Sequence, residues 1–273
     1  ILIVVWIAST RSTQIQQRQK TTKDRCMQFV QGLPRGVYVG QTRIQHAQAL
    51  QTDCADLSGF NLALHVQDDA WRVQQHRMCL LEEFAKYGVD KMTWMTQTHS
   101  VLCQTINAQI TFEALEGDGL VTQRKAHALM MMTADCLPVV LGNAEGTEVA
   151  NLHAGWRGLA NGIIENTIAE MQSAPTWAWL GAAITQPCFE VGEEVKQAFC
   201  DKYPELDTAF IAGQQQGKYF ADLYAIARFI LQQYAVTTVL GGDQCSYQQA
   251  DDYYSYRRQA HTGRMATFVF MQA

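Results

Sequence analysis

Met130-Met131-Met132-Thr133-Ala134-Asp135-Cys136-Leu137-Pro138, followed by Val149-Ala150-Asn151-Leu152-His153-Ala154-Gly155-Trp156-Arg157-Gly158, decides how this chain is read. Met130 to Met132 and Val149 to Leu152 are short apolar runs of the kind that form buried strands. Their ends emerge where a sheet meets solvent, and there the sequence places a carboxylate, a thiol, an imidazole and a guanidinium. A strand end followed by glycine and a helix start suits a site better than a core. His99, in Gln97-Thr98-His99-Ser100, follows a third strand-like run, Met92 to Thr96.

Strand-like and helix-like segments alternate along the rest of the chain, without the regular rhythm of a doubly wound sheet. Val37 to Thr42 reads as a strand. Val73, Leu80, Leu81 and Phe84 mark one face of a helix from Trp71 to Tyr87, with Gly88 placed to stop it. Strands are expected at Met92–Thr96 and Val101–Ile106, and a helix over Leu159–Met171, whose apolar positions follow the helical period. Trp177–Ile184 is strand-like, Val191–Phe199 and Leu223–Tyr234 helical, and Thr237–Leu240 and Ala266–Met271 strands. No linker interrupts residues 30–271. The expectation is one α+β domain with mixed β-sheets flanked by helices.

Composition bounds the function classes. The 273 residues are 48% hydrophobic and 17% charged, as in an ordinary globular core. A net charge of -5 gives no support for binding nucleic acid or an anionic membrane. The eight cysteines are dispersed, none in a C-x-x-C pair, and read as free thiols in a reducing cytoplasm. Ile1 to Ala8 is apolar but far too short to span a bilayer. Polar residues follow up to Arg25, and residues 1–26 are expected to be an N-terminal extension outside the fold, with residues 27–273 the catalytic domain.

Two imidazoles and one thiolate make a three-ligand set suited to a catalytic zinc, whose fourth position is left to water of lowered pKa. Asp135 is placed to orient a ligand or accept a proton, and Arg157 and Arg43 are candidates for holding an anionic group. Spacing alone leaves two readings open: a shared His99–Cys136–His153 metal site, or Cys136 as a nucleophile with His153 as its base. His46, His76 and His127 sit among polar residues and read as solvated. Tyr253-Tyr254-Ser255-Tyr256 with Arg257-Arg258 reads as a substrate rim or as sheet packing. Asp118, in Gly117-Asp118-Gly119, reads as a turn residue.

Thr133-Ala134-Asp135-Cys136-Leu137-Pro138, His153-Ala154-Gly155-Trp156-Arg157-Gly158, Phe189-Glu190-Val191-Gly192 and Ser255-Tyr256-Arg257-Arg258 with Thr262-Gly263-Arg264 occur in the order seen in the YfiH/laccase-domain family, also called the polyphenol oxidase family. The chain resembles that family from about Gly36 to Phe270. The resemblance implies a YfiH-like fold, a zinc site (copper as the alternative) at His99, Cys136 and His153, and purine nucleoside phosphorylase activity. The expected substrates are adenosine, inosine and methylthioadenosine, with adenosine deaminase activity at the same site. Cys136, His153, Asp135 and Arg43 are then the expected catalytic residues, and Arg43, Arg157 and His65 the expected substrate-binding ones. His65 lies in Asn61-Leu62-Ala63-Leu64-His65-Val66, where Ala63 stands in place of the family's glycine. Further departures are Thr98-His99-Ser100 for Val-His-Gly, Ala182 in the Gly-Pro-x-Ile-Gly segment, and Phe189 for tyrosine.

A multicopper laccase needs paired His-x-His motifs; this chain has seven histidines and no such pair. A single copper held by His–Cys–His, with slow phenol oxidation, stays open. So do a cysteine or zinc hydrolase editing peptidoglycan precursors and a metal-binding or partner-binding module without turnover. The expected partners are small molecules, a purine nucleoside and phosphate, for a cytoplasmic protein, monomeric rather than oligomeric, acting without nucleic acid or membrane.

Overall fold

The computed structural model describes residues 27–107 and 115–273, and the extension expected over residues 1–26 lies outside them. Strands β1 (Met27–Phe29) and β2 (Val37–Thr42), helix α1 (Ala70–Ala85), and the short strands β3 (Lys91–Thr93), β4 (Cys103–Ile106) and β5 (Gly119–Thr122) come first. The central strands are β6 (His127–Thr133), β7 (Leu137–Gly142) and β8 (Val149–Ala154). Helices α2 (Trp156–Asn161) and α3 (Ile163–Glu170), strands β9 (Trp177–Leu180) and β10 (Glu190–Gly192), and helix α4 (Glu193–Cys200) follow. Strands β11 (Phe210–Ala212) and β12 (Lys218–Ala221), helix α5 (Leu223–Gln233), and strands β13 (Thr238–Gly241) and β14 (Met265–Met271) complete the order.

Strand alternation builds the layers. In β6, Ala128 and Met130 face one way, packing with Phe268, Phe270 and the α1 residues Leu80 and Phe84. Leu129 and Met131 face the other way, against Val140, Val149 and Trp179 of a second sheet. That second sheet turns Leu137, Val139, Leu141, Ala150 and Leu152 onto Leu159, Ile163 and Ile164 from α2 and α3 and onto Ile226 and Ile230 from α5. The result is an α+β stack of helix, five-stranded sheet, six-stranded sheet and helices. The strand orders are β1-β2-β14-β6-β3 and β13-β9-β7-β8-β5-β4, both mixed. A small antiparallel sheet, β10-β12-β11, flanks them. Being buried on both faces explains why β6, β7 and β8 read as continuous apolar runs. Asn151 ties the two large sheets together, donating to the carbonyls of Leu129 and Thr267 at 3.0 Å each.

Several element boundaries differ from the sequence expectation for local reasons. The helix expected over Leu159–Met171 is two helices, because Gly162 adopts φ 99° and turns the chain between α2 and α3. Residues 190–192 pair with β12 as a strand before α4 begins, so the expected Val191–Phe199 helix starts two residues late. Around His99 the strands are shorter than expected, and His99 itself has φ 58°. The seven described cysteines are free thiols. No described helix is long and apolar enough to cross a membrane.

The expectation that His46, His76 and His127 are solvated is overturned. His76 is fully buried on the inner face of α1, its Nδ1 donating to the Asn61 carbonyl at 2.8 Å and its Nε2 accepting from the Leu50 amide at 2.9 Å. His46 stacks on Phe60 at 3.8 Å between centroids. His127 sits at the inner end of β6, with Nε2 2.6 Å from the Thr93 hydroxyl and Nδ1 buried without a partner. Polar neighbours in the sequence say nothing about which side of a strand or helix a histidine occupies.

Two stability predictions follow from these placements. Gly162→Ala forces a Cβ into left-handed backbone although the nearest atoms, on the Glu165 side chain, leave space at 3.6 Å. It is expected to cost about 1–2 kcal/mol in denaturant unfolding, and an unchanged midpoint would count against the α2–α3 break. Burial lowers the pKa of His127 to about 4, with the nearby Lys91 and Arg124 charges adding to the effect. Its contribution is complete above pH 6.5, the unfolded value, and is lost as pH falls towards 4, where the unfolded chain takes up the proton first. His127→Gln should therefore flatten the stability loss between pH 7 and pH 4 by roughly 3 kcal/mol; identical profiles for the two proteins would refute it.

Candidate active site and metal centre

Three strand ends converge. His153 is the penultimate residue of β8, on the same face as Val149 and Asn151, and its registered partner is Pro138 of β7. Cys136 lies two residues before Pro138, so its side chain shares that face. The His99 and His153 rings meet edge-on with centroids 4.8 Å apart, and Cys136 Sγ is 3.8 Å from His99 Nε2. One ligand atom from each residue lies within 4.8 Å of the others. Inward movement of under ~1 Å brings all three to zinc-ligand distances of about 2.0–2.3 Å from a common centre.

The residue that creates this geometry is Asp118, which the sequence reading took for a turn residue. Its fully buried carboxylate accepts the His153 Nδ1–H at 2.7 Å. It also accepts the backbone amides of Thr98, His99 and Ser100 at 3.2, 3.1 and 2.6 Å, and the Ser100 hydroxyl at 2.7 Å. The Asp118 carbonyl accepts the His153 amide at 2.7 Å. One side chain thus fixes the strained loop that presents His99 and the tautomer that leaves His153 Nε2 with its lone pair. The flanking glycines are the sequence signal: a Cβ at Gly117 would meet the Leu102 carbonyl at 2.7 Å and one at Gly119 the Thr167 hydroxyl at 2.8 Å.

Burial alone would raise the Asp118 carboxyl, but hydrogen bonds from His153 and Ser100 outweigh it and hold it at about 2. Burial likewise opposes a thiolate at Cys136, yet the His153 and His99 imidazoles win and lower its pKa. His153 is raised in return: burial works against its charge, and the Cys136 and Asp118 anions outweigh burial. The cluster is a preformed anion–imidazole set, the electrostatic state that a bound cation replaces.

Around it lies a cavity of about 450 Å³, walled by His65, Gln97, Trp156, Arg157, Phe189, Tyr256, Arg257 and Arg264, among others. Gln97 is held by Met132, donating to its carbonyl at 2.7 Å and accepting its amide at 2.8 Å. Arg157 lies over the Trp156 ring at 4.4 Å and Arg257 over Phe189 at 5.3 Å. The aromatic run divides: Tyr253 and Tyr254 are core residues, whereas Tyr256 is exposed at the cavity.

Asp135 lines the cavity, but both its oxygens are engaged, one with the Ser246 hydroxyl at 2.6 Å and one with the Arg257 amide at 2.7 Å. It positions the Arg257 loop from a left-handed backbone, φ 90°. Arg43 is not among the residues lining the cavity: it pairs with Asp252 at 3.2 Å and lies near the Tyr253 ring. The guanidiniums at the cavity are Arg157, Arg257 and Arg264; the residues alone pointed to Arg157 as an anion holder and to Arg257 as part of a substrate rim, and left Arg264 without a role.

Residues 47–272 match the family described as multi-copper polyphenol oxidoreductase laccase. The chain belongs to that family. A purine nucleoside phosphorylase from Pseudomonas aeruginosa is 37% identical over 220 residues, 80% of this chain and 88% of that one. Adenosine deaminase RL5, from an unknown prokaryotic organism, is 33% identical over 229 residues, 78% of this chain and 87% of that one. The crystal structure of a Neisseria meningitidis protein of the DUF152 family is similar with a TM-score of 0.82 at 36% identity, covering 90% of this chain and 99% of that one.

Membership in the YfiH/laccase-domain family, an enzyme family, therefore stands as the motifs implied. Among the described residues, one group of three donors contains two histidines, and the donor chemistry there fits a single metal ion. Asp118→Asn tests the organising role of the carboxylate in this family member. An amide nitrogen would face backbone donors, and zinc affinity is expected to fall about 10- to 100-fold. Competition with a chromophoric chelator reads it; unchanged affinity would remove Asp118 from the account.

Proposed function

We propose that this chain is a zinc-dependent purine nucleoside phosphorylase acting on adenosine, inosine and methylthioadenosine, with adenosine deaminase activity in the same cavity. The observation that carries the reading is the His99–Cys136–His153 cluster at a cavity whose walls combine aromatic rings with three guanidiniums. A nucleoside presents a flat base and a polar sugar, and phosphorolysis adds an inorganic anion, so all three wall chemistries have a use. The names of relatives at similar length support the two activities.

His99, Cys136 and His153 would hold the metal, which supplies Lewis acidity when bound. Asp118 keeps the His153 proton on Nδ1. Phe189 and Tyr256 offer faces to the purine. Arg257 and Arg264 hold phosphate near the ribose anomeric carbon, whose bond to the base nitrogen breaks as the phosphate oxygen bonds to it; Arg157 and His65 bind the remaining polar edge. The phosphate role first expected of Arg43 passes to these residues because they line the cavity. Free described thiols support a reducing compartment such as the cytoplasm.

Copper competes for the same three donors, so reconstitution with each metal separates a phosphorylase from a phenol oxidase. The lowered Cys136 pKa favours one further reading, a cysteine hydrolase with His153 as base; it requires a covalent substrate adduct on Cys136.

With adenosine and phosphate, the zinc-loaded protein is expected to release ribose 1-phosphate, and chelation to abolish it. Unchanged product after complete metal removal would refute the metal's role. Arg257→Ala should raise the KM for phosphate roughly ten- to a hundredfold, the loss of one charge-assisted contact, with the KM for adenosine little changed. An unaltered phosphate KM would take Arg257 out of the anion site.

A further inference from the structure

We propose that Cys54, Asp56 and His261 form a second metal site, built for zinc(II), outside the cavity. The 3-10 turn Ala55–Leu57 presents the first two residues: the Cys54 amide donates to the Thr52 hydroxyl at 3.2 Å and its carbonyl accepts the Leu57 amide at 3.1 Å. Leu57, 1% exposed, anchors the turn in the core. Cys54 and Asp56 therefore stand two residues apart on fixed backbone. His261 arrives from 207 residues further along, with Nδ1 3.9 Å from Cys54 Sγ and 3.4 Å from Asp56 Oδ2.

The tautomer is the second, independent observation. His261 Nε2 lies 3.2 Å from the Val66 carbonyl. A carbonyl only accepts, so Nε2 carries a proton and the neutral ring keeps its lone pair on Nδ1, the nitrogen facing the thiol and the carboxylate. Metal-binding histidines are oriented in this way, through a hydrogen bond from the other ring nitrogen.

The geometry matches the cluster in the cavity: sulfur to imidazole is 3.9 Å here and 3.8 Å between Cys136 and His99. All three ligand atoms again lie within 4.8 Å of one another. Thiolate, imidazole and carboxylate are the three ligand types zinc takes, with a water completing four. Magnesium and calcium prefer all-oxygen shells. An ion pair between His261 and Asp56 is the competing explanation, but both side chains are more than 40% exposed, and exposed pairs contribute only about 0–1 kcal/mol. Such a pair also gives no reason for the thiol.

None of the three residues lines the cavity, yet the segment 256–264 carries Tyr256, Arg257 and Arg264, which do. A metal here would clip the 54–56 turn to the loop that supplies two of the cavity's guanidiniums. The site is therefore structural or regulatory, and it stands whatever reaction the cavity performs.

Peptide-resolved alkylation of the full chain with N-ethylmaleimide, with and without zinc, tests it. At zinc about tenfold above the dissociation constant, roughly a tenth of the Cys54 thiol stays free, so its alkylation should slow about tenfold. The protection should persist in Cys136→Ser, which removes the cavity cluster, and vanish in His261→Ala and in Asp56→Asn. Cys79 on α1 is the internal control and should be unaffected. Cys54 rates that are equal with and without saturating zinc would overturn the proposal. So would protection that survives in either folded variant, His261→Ala or Asp56→Asn. Because the altered side chains are exposed, a thermal melt checks each variant's fold, and either variant alone carries the test.

Discussion

The Asp118 carboxylate is the constraint on which the site depends. It is buried between two elements that are remote in sequence, the 98–100 loop and the end of β8, and it supplies acceptors to both. A buried carboxylate is tolerable only when its lone pairs are filled. Filling them here needs three consecutive amides, a hydroxyl and an imidazole N–H. The same bonds hold His99 in left-handed backbone, which an L-residue adopts only when its surroundings over-determine it. Stability and ligand placement therefore come from one group.

The scaffold makes that possible. Two mixed sheets packed face to face, each covered by helices on its outer side, leave β6, β7 and β8 buried on both faces. Their ends hold position because the strands between them cannot shift register without exposing a whole apolar set. Asp135, next to Cys136, uses the same device, tying the Ser246 hydroxyl and the Arg257 amide to the turn that follows β6. The His99–Cys136–His153 cluster and the arginine-bearing wall of the cavity are thus braced by two carboxylates, both of whose oxygens are engaged in each case.

The layers were legible in the sequence where patterning is strong. Val37–Thr42, the Met130 and Val149 runs and the α1 stripe all lie within elements of the type expected, because burial on one or both faces leaves a periodic signature. The convergence of His99, Cys136 and His153 came from motif order, since spacing alone could not bring together residues on separate strands. Asp118 escaped notice because its partners are 18 to 35 residues away and a lone Gly-Asp-Gly resembles any turn. Arg43 illustrates the converse: a strand-end arginine expected to hold an anion, which pairs with Asp252 and does not line the cavity. The helix break at Gly162 is a backbone event that an apolar stripe cannot reveal.

X-ray absorption at the zinc edge is the most direct measurement of the central claim, made on Cys54→Ser protein loaded with one equivalent of zinc so that only the cavity cluster contributes. Convergence of His99, Cys136 and His153 on one ion predicts one sulfur scatterer at about 2.3 Å and two imidazole nitrogens at about 2.0 Å, with a lighter fourth neighbour. A spectrum without the sulfur shell, or with a single imidazole, would contradict it.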